Sequence, residues 1–198
     1  MHLLPQRRNV ELAVSGNANR RRQRNSAALK AFGANAQNGR KPVLCREIRH
    51  GESPVCIYTV GYERRDGDQL IDALQNLNIE HLADVRDRPI SRKPDFRAAA
   101  LCARCEAAEI EYWSWTELGS TERQRERLRE TGDIRYFHKV FRQYATRSLT
   151  EDIDRLASIA ARKSVALLCY EREHDECHRR TIADLLADRL DASVIAIL

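Results

Sequence analysis

Thiols, an imidazole, guanidiniums and carboxylates crowd a few short stretches of this chain. Leu167-Leu168-Cys169-Tyr170-Glu171 is an apolar run that ends in a thiol and a carboxylate. After a short charged loop, Asp175-Glu176-Cys177-His178-Arg179-Arg180 opens what reads as a helix, with a second thiol, an imidazole and two guanidiniums. Another run finishes Asp84-Val85-Arg86-Asp87-Arg88-Pro89, then Ser91-Arg92-Lys93-Pro94. Polar groups at the strand-to-helix switch of an α/β unit stand where such folds bind ligands. In a parallel sheet these ends share one edge. Asp84, Arg86 and Glu171 are therefore expected to converge near Cys177, His178 and Arg179.

Several chemistries fit these residue types. Arg86, Arg88, Arg92 and Arg179 offer planar forks for phosphate or carboxylate. A helix opened by Asp175 would add backbone N–H donors and a favourable dipole. Together they favour an anionic ligand; the competing reading is a structural ion-pair network of Asp84 with Arg86 or Arg179. Asp84 and Glu171 form a candidate carboxylate pair, able to divide acid and base or nucleophile roles as glycoside cleavage requires. Cys177, expected in the first helical turn, would have its thiol pKa lowered by the dipole and could be a nucleophile. The phosphatase pattern of cysteine, five residues, then arginine is absent, because the required position holds Asp175 after Cys169 and Ala183 after Cys177.

The remaining candidates have plainer readings. His178 lies on the apolar stripe with Ile182, which suits a hydrogen-bonded histidine against the sheet better than a metal ligand. Cys102 and Cys105 have two-residue spacing but no second pair nearby, and zinc needs about four ligands. No metal and no cofactor is expected. Tyr112, Trp113 and Trp115 could stack a base, though covering a sheet is the commoner use.

The elements that must position these groups follow from periodicity. Val55–Val60, closed by Gly61, reads as a buried strand, and Asp68 as the cap of a helix carrying Leu70, Ile71, Leu74 and Leu77. His81–Val85 is a second strand, and Asp95 caps a helix with Leu101, Cys105 and Ala108. Ile110–Trp115 is a third strand, and residues 120–132 a charged surface excursion. Ile134, Phe137, Val140, Phe141 and Tyr144 mark a helix. Ser148 and Glu151 suggest a capping box for the next, with Ile153, Leu156 and Ala160 inward. Ser164–Cys169, a helix through Ile182, Leu185, Leu186 and Leu190, and Ser193–Leu198 complete the pattern. This alternation predicts an α/β fold: one three-layer domain, residues 55–198, around a mainly parallel sheet of about five strands.

Composition sets the partners. The net charge is +5, yet residues 1–50 hold eleven Lys/Arg against Glu11 and Glu47, so the rest is mildly acidic. Residues 1–54, with the run Arg20-Arg21-Arg22-Gln23-Arg24, lack a core-forming pattern and read as a disordered basic extension that could meet nucleic-acid phosphates. Six cysteines without a secretory leader point to reduced thiols and a cytoplasmic protein. No apolar run approaches the roughly 20 residues that span a bilayer, so no membrane partner is expected.

Thr59-Val60-Gly61-Tyr62-Glu63, Asp84-Val85-Arg86 with Pro89 and Ser91, Tyr112 with Leu118-Gly119, and Leu167-Leu168-Cys169-Tyr170-Glu171 before Cys177-His178-Arg179-Arg180 together resemble domain-of-unknown-function family 488 over residues 57–190. The resemblance implies a compact α/β domain whose motif residues form one site; it brings no settled activity. Tyr62 stands where many relatives carry histidine, so no role of that histidine transfers here. The leading expectation is an enzyme on a phosphate-bearing nucleotide or nucleic acid, hydrolysing a glycosidic bond, with Asp84 and Glu171 reacting and Arg86, Arg92, His178 and Arg179 binding. The alternatives are a thiol enzyme using Cys177 and a non-catalytic nucleic-acid-binding module.

Overall fold

The structure, a computed structural model, describes residues 55–198; the basic extension expected over residues 1–54 lies outside them. Five strands form one sheet: β1 (Cys56–Gly61), β2 (His81–Asp84), β3 (Glu111–Ser114), β4 (Val165–Cys169) and β5 (Ser193–Ile197). Their order is β3-β2-β4-β1-β5, and every neighbouring pair is parallel. β2 and β4 are buried at every position, and β4 reads accordingly as a continuous apolar run.

Five of the six helices cover the sheet in two layers. α1 (Gly67–Asn76) and α2 (Ala98–Ala107) pack on one face, where Leu70, Leu74, Leu101 and Cys105 meet Val60, Leu82, Ala166 and Leu168. α4 (Ile134–Ser148), α5 (Thr150–Ala160) and α6 (His178–Leu190) pack on the other, where Phe141, Ile153, Leu156 and Ile182 meet Ile57, Ala83, Val165 and Leu167. The alternation of side chains along each strand sends neighbouring residues to opposite layers. α3 (Glu122–Thr131) buries no residue and ends at Gly132, whose φ of 64° suits glycine. It is the charged excursion, folded as a surface helix.

Four expected caps are placed differently. Asp66, not Asp68, caps α1, because it has Gln69 at the third position to close a capping box at 2.8 and 3.1 Å. Asp95 lies in a short 3₁₀ turn, Pro94–Phe96, and pairs with Arg104 instead of capping α2. Ser148 is the last residue of α4, and only buried Leu149 separates it from α5, which leaves no extended position for a serine cap. Asp175 likewise sits in a 3₁₀ turn, His174–Glu176, and α6 begins at His178 with Cys177 before it. No disulfide joins cysteines among the described residues, and none of their helices is long and apolar enough to cross a membrane.

Candidate functional site

β4 lies between β2 and β1, whose connections lead to α2 and α1 on one face, while β4 itself leads to α6 on the other. Such a reversal opens a crevice at the carboxyl ends of the strands, the usual ligand position of an open α/β sheet. Two polar networks stand at this edge, one for each face.

The first belongs to the α1–α2 face. Asp84 and Arg86 are both buried. Arg86 Nε donates to Asp84 Oδ1 at 2.7 Å and its backbone N–H to the same oxygen at 3.2 Å, while a second guanidinium nitrogen reaches Oδ2 at 2.5 Å. Tyr112 donates its hydroxyl to Oδ2 at 2.7 Å. The remaining Arg86 nitrogen donates to the Tyr62 hydroxyl at 3.1 Å and the Phe96 carbonyl at 2.9 Å. Tyr62 stacks on Phe96, with centroids 4.3 Å apart. Burial works against the Arg86 charge, but Asp84 overcomes it and the guanidinium holds its proton more tightly than usual. Burial and the Asp84 carboxylate push the Tyr112 phenol up. Tyr112→Phe is expected to cost roughly 1.5–3 kcal/mol, the worth of a hydrogen bond to a charged group; unchanged urea denaturation would show that the bond adds nothing.

The second network belongs to the α4–α6 face. Cys169 Sγ donates to Glu171 Oε2 at 3.1 Å. His178 Nδ1 lies 3.8 Å from the sulfur of Cys169 and 3.8 Å from that of Cys177. Its Nε2 is 2.7 Å from the Val85 carbonyl. A carbonyl only accepts, so Nε2 carries a proton, and Nδ1 is the ring nitrogen turned toward both sulfurs. Local backbone makes this possible: Cys177 is extended at φ −128° and ψ 144°, whereas His178 begins the helix, so consecutive side chains share one point.

Electrostatics within this cluster run against one expectation. Cys177 is 1% exposed. Burial, then Cys169, pushes its thiol well above the ordinary value. The expected lowering by the helix dipole is outweighed, because the sulfur is cut off from solvent. Burial alone would raise the Glu171 carboxyl, yet the two thiols and His178 outweigh it and the value falls. Burial opposes a proton on His178, but Cys177, the Val85 carbonyl and Glu171 prevail and raise it.

The expected convergence is only partly what forms. Glu171, Cys177 and His178 come together with Cys169. Asp84 and Arg86 stay in the other layer, and no hydrogen bond or ion pair joins Asp84 to Glu171 among the described residues. The forks of Arg86 and Arg179 are turned inward. Arg179, also buried, clamps the backbone carbonyls of Glu171 and Arg172, and its Nε has no partner. Arg92 and Arg88 are exposed on the loop after β2. Trp115 is buried and Trp113 half-exposed, the two stacked at 6.2 Å.

Three supporting residues carry no spacing signal. Thr59 pairs with His174 Nδ1 at 3.0 Å. His138 on α4 places Nε2 2.8 Å from the Asp175 carbonyl and Nδ1 3.0 Å from the Thr181 hydroxyl. Both histidines hold the loop between β4 and α6 through contacts distant in sequence, and burial lowers the pKa of each.

Comparison with characterised proteins and with solved structures gave no match. A family model does match, over residues 66–186, most of the described domain and all of the motif residues from Asp84 to Arg180. The chain belongs to DUF488, a domain-of-unknown-function family.

Proposed function

We propose that this protein is a cysteine-dependent enzyme whose reacting centre is the cluster of Cys169, Glu171, Cys177 and His178. One observation carries the reading: two thiols flank a single imidazole whose other nitrogen is tied to Val85, and one of those thiols is bonded to the Glu171 carboxylate. Packing alone does not ask for this. Cys105, buried in the opposite layer, meets apolar neighbours such as Leu74 and Leu101. Asp84 is the weaker candidate, since its two oxygens already accept four hydrogen bonds from Arg86 and Tyr112.

Glu171 is the one partly exposed member of the cluster and thus the group able to exchange a proton with a substrate. Cys169, Cys177 and His178 stand behind it and set its charge. Arg64, Arg88, Arg92 and Arg172 are exposed on loops leaving the same sheet edge. They suit an anionic, phosphate-bearing substrate, a nucleotide or nucleic acid. Thiols kept reduced in the cytoplasm fit such a centre.

The test is turnover of a panel of nucleotides and oligonucleotides by the full chain. Glu171→Gln and Cys169→Ser should each slow turnover by about 10²–10⁴-fold, with exposed Cys102→Ser unchanged. Full activity in both variants would return the reaction to Asp84. Binding of these ligands with no turnover would make the protein a binding module instead.

A further inference from the structure

The cluster at the end of β4 has the donor set and spacing of a metal centre. The sulfurs of Cys169 and Cys177 and Nδ1 of His178 all lie within 4.8 Å of one another. Both sulfur–nitrogen distances are 3.8 Å. A tetrahedral zinc ion, with Zn–S about 2.3 Å and Zn–N about 2.0 Å, sets sulfur and nitrogen about 3.5 Å apart. The donors thus already lie close to the spacing of a shared ion.

Two further observations point the same way. His178 gives its Nε2 proton to the Val85 carbonyl at 2.7 Å. Fixing the tautomer through the second nitrogen is how proteins aim a ligating histidine at a metal. Glu171 Oε2 is not one of the three mutually close donors, but it lies 3.1 Å from the Cys169 sulfur and is the carboxylate beside them. Two thiolates, an imidazole and a carboxylate suit zinc and exclude magnesium or calcium, which take oxygen ligands. Two thiolates and a carboxylate would exceed the charge of the ion by one. The Arg179 guanidinium, buried against the Glu171 and Arg172 carbonyls, stands next to that excess.

We propose that Cys169, Cys177 and His178 bind one zinc ion, with Glu171, the member that reaches solvent, at the fourth position. This deepens the cysteine-centred reading above and rests on the same cluster by naming its cofactor. Cysteine then serves as ligand, and Glu171 is the group a substrate would displace.

The experiment uses the full chain, purified reduced and without chelator. Elemental analysis should find about one zinc per chain. After chelation, cobalt(II) should restore one equivalent of binding, with a thiolate-to-cobalt charge-transfer band and tetrahedral ligand-field absorption. Cys169→Ser and Cys177→Ser should each lose the charge-transfer intensity of one thiolate, and Cys102→Ser none. A folded, reduced wild-type chain that gives no charge-transfer band with cobalt overturns the proposal without recourse to variants. A band unchanged in both serine variants overturns it too, and iron absorption in the isolated protein overturns the choice of zinc. Zinc in a protein that turns over no phosphate-bearing substrate keeps the site and removes the enzymatic reading. Turnover that persists without metal and still needs Cys169 does the reverse.

Discussion

Asp84→Asn is expected to lower the free energy of unfolding by about 3–5 kcal/mol, the usual cost of removing one partner from a buried ion pair. The reason lies in Arg86. Its guanidinium is buried and makes its strongest contacts to Asp84, at 2.5 and 2.7 Å. Asparagine keeps the shape but leaves that positive charge without an opposite one. Urea denaturation of the full chain measures the loss. Arg86→Met removes the charge itself, so the double variant should lose less than the two single losses combined. A change below about 1 kcal/mol, the level of an exposed pair, would show that solvent reaches the pair and screens it.

Gly61→Ala should cost about 3 kcal/mol or more, at the upper end of overpacking effects. A methyl carbon on Gly61 would lie 1.9 Å from the Glu171 carbonyl oxygen, 2.6 Å from its carbon and 2.9 Å from the Arg172 Cα. All three atoms are backbone, so no side chain can swing away. Gly61 faces Cys169 across the β1–β4 pairing, and the next two residues continue it, with Tyr62 N–H to the Cys169 carbonyl and Glu63 N–H to the Tyr170 carbonyl. The strands must therefore part where the cluster begins. Thermal unfolding reads the stability loss, and thiol labelling of Cys169 and Cys177 should quicken in step. A variant with wild-type stability and labelling would show that the β4 end is pliable.

Much of the architecture was legible in the sequence because burial on both faces makes strands such as Val165–Cys169 continuous apolar runs. Regular alternation with amphipathic helices then implied the parallel sheet. Caps were less legible. Asp66 and Asp68 look alike as acids before an apolar stripe, and only the partner at Gln69 separates them. The site was legible as a location at the strand ends, yet not as a geometry. A guanidinium fork fits an external phosphate, a neighbouring carboxylate or a backbone carbonyl equally well, so Arg86 and Arg179 gave no sign that they point inward. Whether Asp84 and Glu171 meet depends on which layer each side chain enters. That is settled by the β2–β4 register, which pairs Asp84 with Leu168 and so sends Cys169 to the opposite face, and local patterns do not encode it. The Cys169–His178 approach is invisible for the same reason, since it depends on the extended backbone at Cys177.

The position of β1 in the sheet has a consequence for how the protein is made. Ile57 pairs with Val165 and Cys56 with Ser193, so the first strand of the domain waits for nearly all of it to be synthesised. On a ribosome that adds residues vectorially, β2 and β3 emerge together and can pair early. The apolar segment Val55–Val60 cannot. Closing such long loops is what makes non-local sheets slow to fold. During that interval an unpaired strand edge is open to other chains. The centre at the end of β4 is correspondingly assembled late, since Thr59, Cys169 and His178 share a neighbourhood only after β4 and α6 dock beside β1.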